Sequence, residues 1–510
     1  MRKLVSLLLA LIMMMALVPS AFAAEPYTLD IYWIGNGDNP EIRAGVEAAI
    51  NEYIEPLIDA HVSFHIVNWD DYEKEVIDVL LNKETRKKAK MDLVFTADWK
   101  GYTDLAEAKA LLPLGDLLES NGQDILKTLP EGFWAGVTYK GQIYGVPTNK
   151  ELCVPQGFIV NKTAADAIGW DLSKDEIKTT ADLEPWLKAY KEKYPDSYPY
   201  LMDMDPPGRW VDEPWINDWS GLENNAIAMR MAKLDSGEFD ETVYSIFETP
   251  EEEEHIRLMY KWAQAGYINP NAVHTTKSDG EVLFGKGDFL VYTMAVKGNN
   301  TKGIELYTEK HQEGAEPFEV AEIIMQPKYI VTAHTAGSMF AIPSSPEVNP
   351  DLAMKYLNLM HSDATLVNLM LFGVEGVNYE KVDDLKVRNT DKAWYTLHGG
   401  AWTVGDVTLQ KVLETEDPEK NPKLIEFAAD ATETASLGFR FNKKKLKDET
   451  EKVNEAVKTY FNPLMCGAAD PDDPEKGIEA FRKALKEAGI DELKREVEDQ
   501  YEIWTIETKK

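Results

Sequence analysis

The sequence predicts an α/β protein of two lobes with a helical C-terminal extension. Three observations lead there. A strand, helix, strand, helix, strand series opens the mature chain; 510 residues exceed what one core organises; and the last part of the chain reads as a helical hairpin.

The first 23 residues are read apart from the fold. Arg2 and Lys3 precede an apolar run that ends in Ala21-Phe22-Ala23, the pattern of a secretory signal peptide over residues 1–23. The run is too short for a comfortable span, and no later segment reaches the roughly 20 apolar residues a membrane helix needs. The mature chain is therefore expected to act outside the cytoplasm. With no cysteine near the cleavage pattern, a lipid anchor is not indicated.

From there a strand is expected over Leu29 to Ile34, then a helix with Ile42, Val46, Ile50, Tyr53, Ile54 and Leu57 on one face. Val62, Phe64 and Ile66 alternate as a second strand. Tyr72, Val76, Val79 and Leu80 form the next helical stripe, and Met91 to Thr96 a third strand. Short links between such elements imply a parallel sheet with right-handed crossovers, whose ligands lie beyond the carboxyl ends of the strands. Those ends carry Trp33, Asn36 and Asp38, then Trp69 beside Asp70, then Asp98 and Trp99. An indole beside an acid at each of three strand ends makes these residues candidates for ligand contact.

The same pairing recurs in GRWVDEPWINDWSG, residues 208–221, where Trp210, Trp215 and Trp219 sit among Arg209, Asp212, Glu213 and Asp218. Pro214 and the upstream Pro206-Pro207-Gly208 make this a loop or a helix entrance. Two readings stand: a small apolar cluster under a surface segment, or a surface that grips something flat with hydroxyls on its rim, for which indole faces and flanking carboxylates are suited. Arg209 and Trp215 are the candidates from this stretch.

Composition excludes several classes. The formal charge of −34 repels nucleic acid and anionic membranes. Gly35-Asn36-Gly37 follows a strand, but Pro40 stands where a dinucleotide fingerprint needs its third glycine, and no phosphate-cradling loop is present, so no cofactor is expected. The eight histidines are scattered and Asp470-Pro471-Asp472-Asp473 lacks the glycine and glutamate of a calcium loop, so no metal site is expected. Cys153 and Cys466 form either one long-range bridge or two buried thiols.

Further along, YKGQIYGVPTNKE (139–151) gives a hairpin turn at Lys140-Gly141, a short strand, and Pro147 as a fixed point from which the chain can leave one lobe for another. This stretch resembles the crossing segment of the solute-binding proteins of ABC importers, in the maltose-binding-like family. Leu283 to Phe289 resembles the turn and strand that precede a cleft residue in that family, here around Tyr292. Ala336 to Pro343, followed by PDLAMKYLNLMHSDATLVNLMLFGVEGVNYE, is similar to the helix pair and Gly-x-Glu-Gly-x-x-Tyr signature of its larger oligosaccharide-binding branch.

The resemblance covers nearly the whole mature chain in element order. It implies the two-lobed periplasmic-binding-protein fold of the class II type, with residues 24–148 and 331–380 as one lobe and 149–330 and 381–510 as the other. It also implies that Glu151, Tyr292, Glu375 and Trp402 face the ligand. The function implied is delivery of a carbohydrate, an oligosaccharide, by a monomer to the permease subunits of an ABC transporter, with no catalysis. Two departures stand out: the lipobox cysteine usual in Gram-positive members is absent, and Asp406 replaces the asparagine of the branch's Trp–Gly-Asn pattern. A peptide- or polyamine-binding importer component suits the acidic charge, and a secreted glycoside hydrolase also pairs carboxylates with aromatics; both stay open. At the C-terminus, Ile478, Phe481, Ala484 and Leu485 form a stripe, Gly489 stops the helix, Asp491 is a cap, and Leu493, Val497, Tyr501 and Trp504 continue the apolar face. This hairpin is expected to brace the second lobe.

Overall fold

A computed structural model describes residues 25–204, Asp212, the backbone of Trp215 and Ile216, residues 226–230, Ser236 and residues 238–508. The signal segment and most of the tryptophan-rich stretch, Arg209, Trp210 and Trp219 included, lie outside the described residues.

Strand β1 (Tyr27–Gly35) leads to helix α1 (Pro40–Ile58). Asn39 starts the helix by accepting from the Glu41 and Ile42 N–H groups, with Pro40 in the first turn, where its missing N–H costs nothing. Val46, Ile50 and Ile54 are buried along one face; Leu57, expected on the same stripe, is exposed. Strand β2 (Ala60–Asn68) and strand β3 (Leu93–Thr96) follow, both parallel to β1. Strand β4 (Val146–Pro147) precedes the crossing to a second sheet.

That second sheet comprises β5 (Gln156–Asn161), β6 (Tyr200–Leu201), β7 (Val291–Ala295) and β8 (Val320–Ile324), in the order β8-β5-β7-β6. Helix α2 (Thr301–Lys310) lies between β7 and β8 in sequence. Neighbouring residues of its strands feed opposite faces: Phe158 and Val160 enter one apolar cluster and Ile159 another. The chain then returns through β9 (Met339–Ala341), antiparallel to β3 and β4, which completes a first sheet of order β2-β1-β3-β9-β4. Helices α3 (Pro350–Met360) and α4 (Ala364–Phe372) pack on its core through Met354, Leu357, Val367 and Leu371.

Three segments meet where the two sheets join. Thr148 N–H donates to the Ser338 carbonyl at 3.0 Å, Asn149 N–H donates to the Gly405 carbonyl at 2.8 Å, and Val407 N–H donates to the Asn149 carbonyl at 3.0 Å. Gly405 is required there: its φ is 44°, and a Cβ would meet the Met360 carbonyl oxygen at 1.8 Å.

The structure moves one segment from the lobe expected for it. Val387, Trp394 and Val404 are fully buried in the first core, although 381–510 was assigned to the second lobe. Trp394 donates to the Met370 carbonyl at 2.7 Å and packs on Phe64. Apolar spacing shows that such residues are buried, but not in which core. The C-terminal helices α5 (Ile478–Ala488) and α6 (Ile490–Thr508) do pack in the second core through Ile478, Phe481, Leu485, Leu493 and Val497. Gly489 caps α5 with φ 99°, and α6 starts at once at Ile490, so Asp491 lies inside the helix and is not its cap. Both cysteines are free and buried.

Candidate functional site

Three indoles converge beyond the carboxyl ends of β2 and β3. Trp69 lies 6.2 Å from Trp99 and 6.3 Å from Trp402 between ring centroids, and Trp99 and Trp402 are 6.3 Å apart. The Phe95 ring, fully buried, sits edge-on beneath Trp402 at 5.9 Å and tilted beneath Trp99 at 6.0 Å. The upper surface is open, with Trp99 51% exposed. An aromatic side chain so exposed yet fixed is suited to receive an apolar ring face.

Each ring is held by its own local device. Thr96 Oγ1 donates to the Lys100 carbonyl at 2.8 Å, and Gly101, at φ 74°, lets the turn close, which projects Trp99 from its tip. The Trp99 indole N–H donates to the Gly337 carbonyl at 2.9 Å, on the segment that returns from the second sheet. The Trp69 N–H donates to Asn36 Oδ1 at 2.8 Å, and Asn36 is tied by its own amide to the Thr396 carbonyl at 3.2 Å. Trp402 lies in the short turn Ala401–Thr403, which Gln410 steadies by donating to the Ala401 and Val404 carbonyls.

Asp98 adjoins Trp99 and is largely buried, and burial raises its pKa while the Arg440 guanidinium, 3.2 Å away, opposes the rise. Asn36, Trp69, Asp98, Trp99 and Trp402 are thus brought together as candidates for contact.

Other expected residues are placed elsewhere. Trp33 is fully buried; it continues the inward alternation of Leu29 and Ile31 inside β1, stacks on His398 at 4.3 Å and donates to Thr403 Oγ1 at 3.0 Å. It is a core residue that holds the Trp402 turn from below. Tyr292 is also buried, on the face of β7 packed against Phe284, and its hydroxyl donates to Asp203. Asp38 pairs with Arg43 at 2.9 Å at the entrance to α1. Glu375 is exposed in the turn after α4, beside Tyr379, and no contact joins it to the indoles among the described residues. The Trp215 backbone pairs with Arg230 in a small three-stranded sheet. Asp406, the departure from the branch pattern, is buried and accepts from Asn149 Nδ2, Thr408 N–H and Thr408 Oγ1, so it fixes the hinge.

Glu151 belongs to a buried ladder of charges. Its carboxylate lies 3.4 Å from Lys150 and 3.8 Å from Lys297; Lys297 is 3.1 Å from Glu305, which is 3.7 Å from Lys420, itself 2.5 Å from Glu416. Burial pushes the Glu151 pKa up, and Lys150 and Lys297 more than reverse it, to about 2. The ladder links the segment that crosses from β4 to the second sheet with α2. Arg440 and Lys297 were not among the expected residues; the alternation Phe439-Arg440-Phe441, an arginine between two buried rings, is the signal that marks the first.

Two sheets, each with its own core, three connecting segments and an open aromatic platform at strand ends define a two-lobed binding protein. Residues 61–373 match the bacterial extracellular solute-binding proteins, and the chain belongs to that family. Residues 435–506 match a domain of unknown function, DUF3502, which corresponds to the C-terminal extension. Over 502 residues, 95% of this chain and 92% of the relative, it is 26% identical to a carbohydrate ABC transporter substrate-binding protein of Streptococcus pneumoniae. Its structure is similar to that of the N-glycan transport solute binding protein of the same organism, with a TM-score of 0.76 at 24% identity over 95% of this chain and all of the other. It is also similar to an HMO binding, ABC-transporter associated solute binding protein of Bifidobacterium longum infantis, with a TM-score of 0.59 and 16% identity over 94% and 99% of the two chains. Among the described residues no helix is long and apolar enough to cross a membrane, and no cluster of side chains suits a metal ion.

Proposed function

We propose that this protein binds an oligosaccharide outside the cytoplasm and delivers it to the permease subunits of an ABC transporter. The observation that carries the reading is the platform of Trp69, Trp99 and Trp402, open on one side and flanked by Asp98 and Asn36. Sugar rings present C–H faces that stack on indoles and hydroxyls that bond to carboxylates and amides. Stacking on one ring contributes about 0.5–1.5 kcal/mol beyond area burial, so several rings and a few hydrogen bonds support micromolar binding, roughly −8 kcal/mol.

The relatives' names are in keeping with this. The pneumococcal N-glycan transport protein has been crystallised with Man1GlcNAc and with Man5GlcNAc. The protein acts as a monomer that hands over its ligand unchanged. Of the four carboxylates brought forward as site residues, Glu151 is held between lysines, Asp98 is paired with Arg440, Asp38 is paired with Arg43, and Glu375 is exposed in the turn after α4. None is arranged as a proton-donating acid with an opposing free nucleophile, which a glycoside hydrolase requires.

The test is a thermal-shift and calorimetric screen with di- to pentasaccharides, peptides and polyamines. Neutral oligosaccharides are expected to raise the melting temperature by mass action. Shifts from peptides or polyamines with silent sugars would overturn the reading.

A further inference from the structure

We propose that Arg440, contributed by the C-terminal extension, is a positioning residue that holds the Asp98 carboxylate beside the Trp99 ring as a charged acceptor for a ligand hydroxyl. The choice of Asp98 as a ligand contact rests on the oligosaccharide reading; the coupling of Arg440 to Asp98 does not.

Phe439 and Phe441 are buried in the second core, and Arg440 between them, in an irregular segment, reaches the first lobe at Asp98, Gly136 and Tyr102. Its guanidinium side chain is 5% exposed. Nη2 lies 3.2 Å from Asp98 Oδ1 and donates to the Gly136 carbonyl at 2.6 Å, while the guanidinium carbon stands 5.3 Å over the Tyr102 ring. Nε and Nη1 are buried without an acceptor among the described residues. A buried cation with so few partners depends heavily on the one carboxylate that faces it.

Asp98 depends on Arg440 in return. Among the described residues no other group hydrogen-bonds its carboxylate, and its side chain keeps 15% exposure next to the platform. Burial favours the protonated acid, and Arg440 is the cation that opposes this. The other charged groups nearby are engaged: Lys100, on the same turn, faces Glu73 at 3.8 Å, and Tyr102 gives its hydroxyl proton to the Val137 carbonyl and is held neutral by burial. Without Arg440 the carboxyl takes up a proton at higher pH and becomes a poorer acceptor.

This gives the extension a part in binding. Its first segment is also moored to the first lobe by Asn442 and Lys444, whose side chains reach Glu107 at 3.3 and 2.6 Å. Those contacts only fasten it, whereas Arg440 acts on a group beside the ligand.

The experiment compares the full-length mature protein with Arg440→Met, Arg440→Lys, Asp98→Asn and Lys444→Ala. First, without ligand, the Asp98 carboxyl carbon is titrated by NMR in 13C-aspartate-labelled protein, with Asp98→Asn for assignment. Its midpoint is expected to rise in Arg440→Met and to return towards the wild-type value in Arg440→Lys; an unchanged midpoint in Arg440→Met overturns the coupling. Second, affinity for Man1GlcNAc and a panel of neutral di- to pentasaccharides is measured from about pH 8 to about pH 5. Arg440→Met is expected to lose about tenfold more affinity than wild type across that range, Asp98→Asn to bind weakly without that dependence, and Lys444→Ala to follow wild type. Parallel pH profiles for Arg440→Met and wild type would reduce Arg440 to a fastening and overturn the proposal. Wild-type protein that binds no sugar fails the oligosaccharide reading alone, and the carboxyl titration still decides the coupling.

Discussion

Trp33 and Trp99 both sit near the end of a strand in the same sheet, and they meet opposite fates. Trp33 is the last inward-facing residue of the alternation Leu29, Ile31, Trp33, two positions before β1 ends at Gly35. Trp99 comes three positions after β3 ends at Thr96, on a turn held by Thr96 and Gly101. The pleat of the strand decides the first; the turn beyond it frees the second. Trp69, one residue past Asn68 at the end of β2, belongs with Trp99. A residue's offset from the strand end, more than its type, separates a buried support from an exposed ring.

The sharpest way to break this comparison is to empty both positions. Trp33→Ala is expected to cost about 3–5 kcal/mol of stability, the usual penalty for removing a large buried aromatic. It should also weaken binding by loosening the Thr403 turn under Trp402. Chemical denaturation measures the first effect, and a variant as stable as wild type would contradict the placement.

Trp99→Ala and Trp402→Ala are expected to behave in the reverse sense. Each should weaken oligosaccharide binding by about tenfold, which corresponds to about 1.4 kcal/mol, and change stability by less than about 1 kcal/mol. Calorimetry beside thermal melts would show it, and normal binding in both would remove the platform from the site. Trp504→Ala sharpens the contrast from the extension. Trp504 is half-buried and packs on Phe439 at 5.7 Å and Tyr501 at 5.6 Å, so its loss should destabilise by about 1–2 kcal/mol and leave affinity nearly unchanged.

The contrast farthest from the platform belongs to Glu151, and it is read in the pH dependence of stability. Its folded-state pKa is depressed from 4.5 to about 2. The stability it contributes is therefore complete above about pH 4.5 and is lost as pH falls from there towards about 2. Denaturation midpoints across that window should decline less steeply in Glu151→Gln than in wild type. Equal slopes would show that the lysines do not act on it.

The sequence made the parallel unit legible because alternation and helical spacing are strong in β1, α1 and β2, where buried positions follow the pattern nearly residue by residue. The terminal hairpin was legible for the same reason. Of the candidate residues, Asn36, Trp69, Asp98, Trp99 and Trp402 stand together, while Trp33 and Tyr292 are buried in the cores, because an aromatic near a strand end looks alike in sequence whether its side chain points in or out. Residues such as Val387, Trp394 and Val404 join the first core, and a segment that returns to an earlier core leaves no local trace in the sequence of which core it joins. The ion ladder was invisible for a related reason: Lys150, Lys297 and Lys420 are far apart in the chain, and single charges among so many carry no signal.

The three neighbouring indoles also make the protein its own optical reporter. Rings 6.2–6.3 Å apart couple their electronic transitions. Near-ultraviolet circular dichroism should therefore carry a signature of the platform that changes when any one ring is removed. Trp99 faces water, so a molecule laid on it should shift its emission to the blue, whereas Trp33, Trp170, Trp262 and Trp394, already sealed, supply a constant background. Occupancy can thus be followed by the protein's native light, with no label attached.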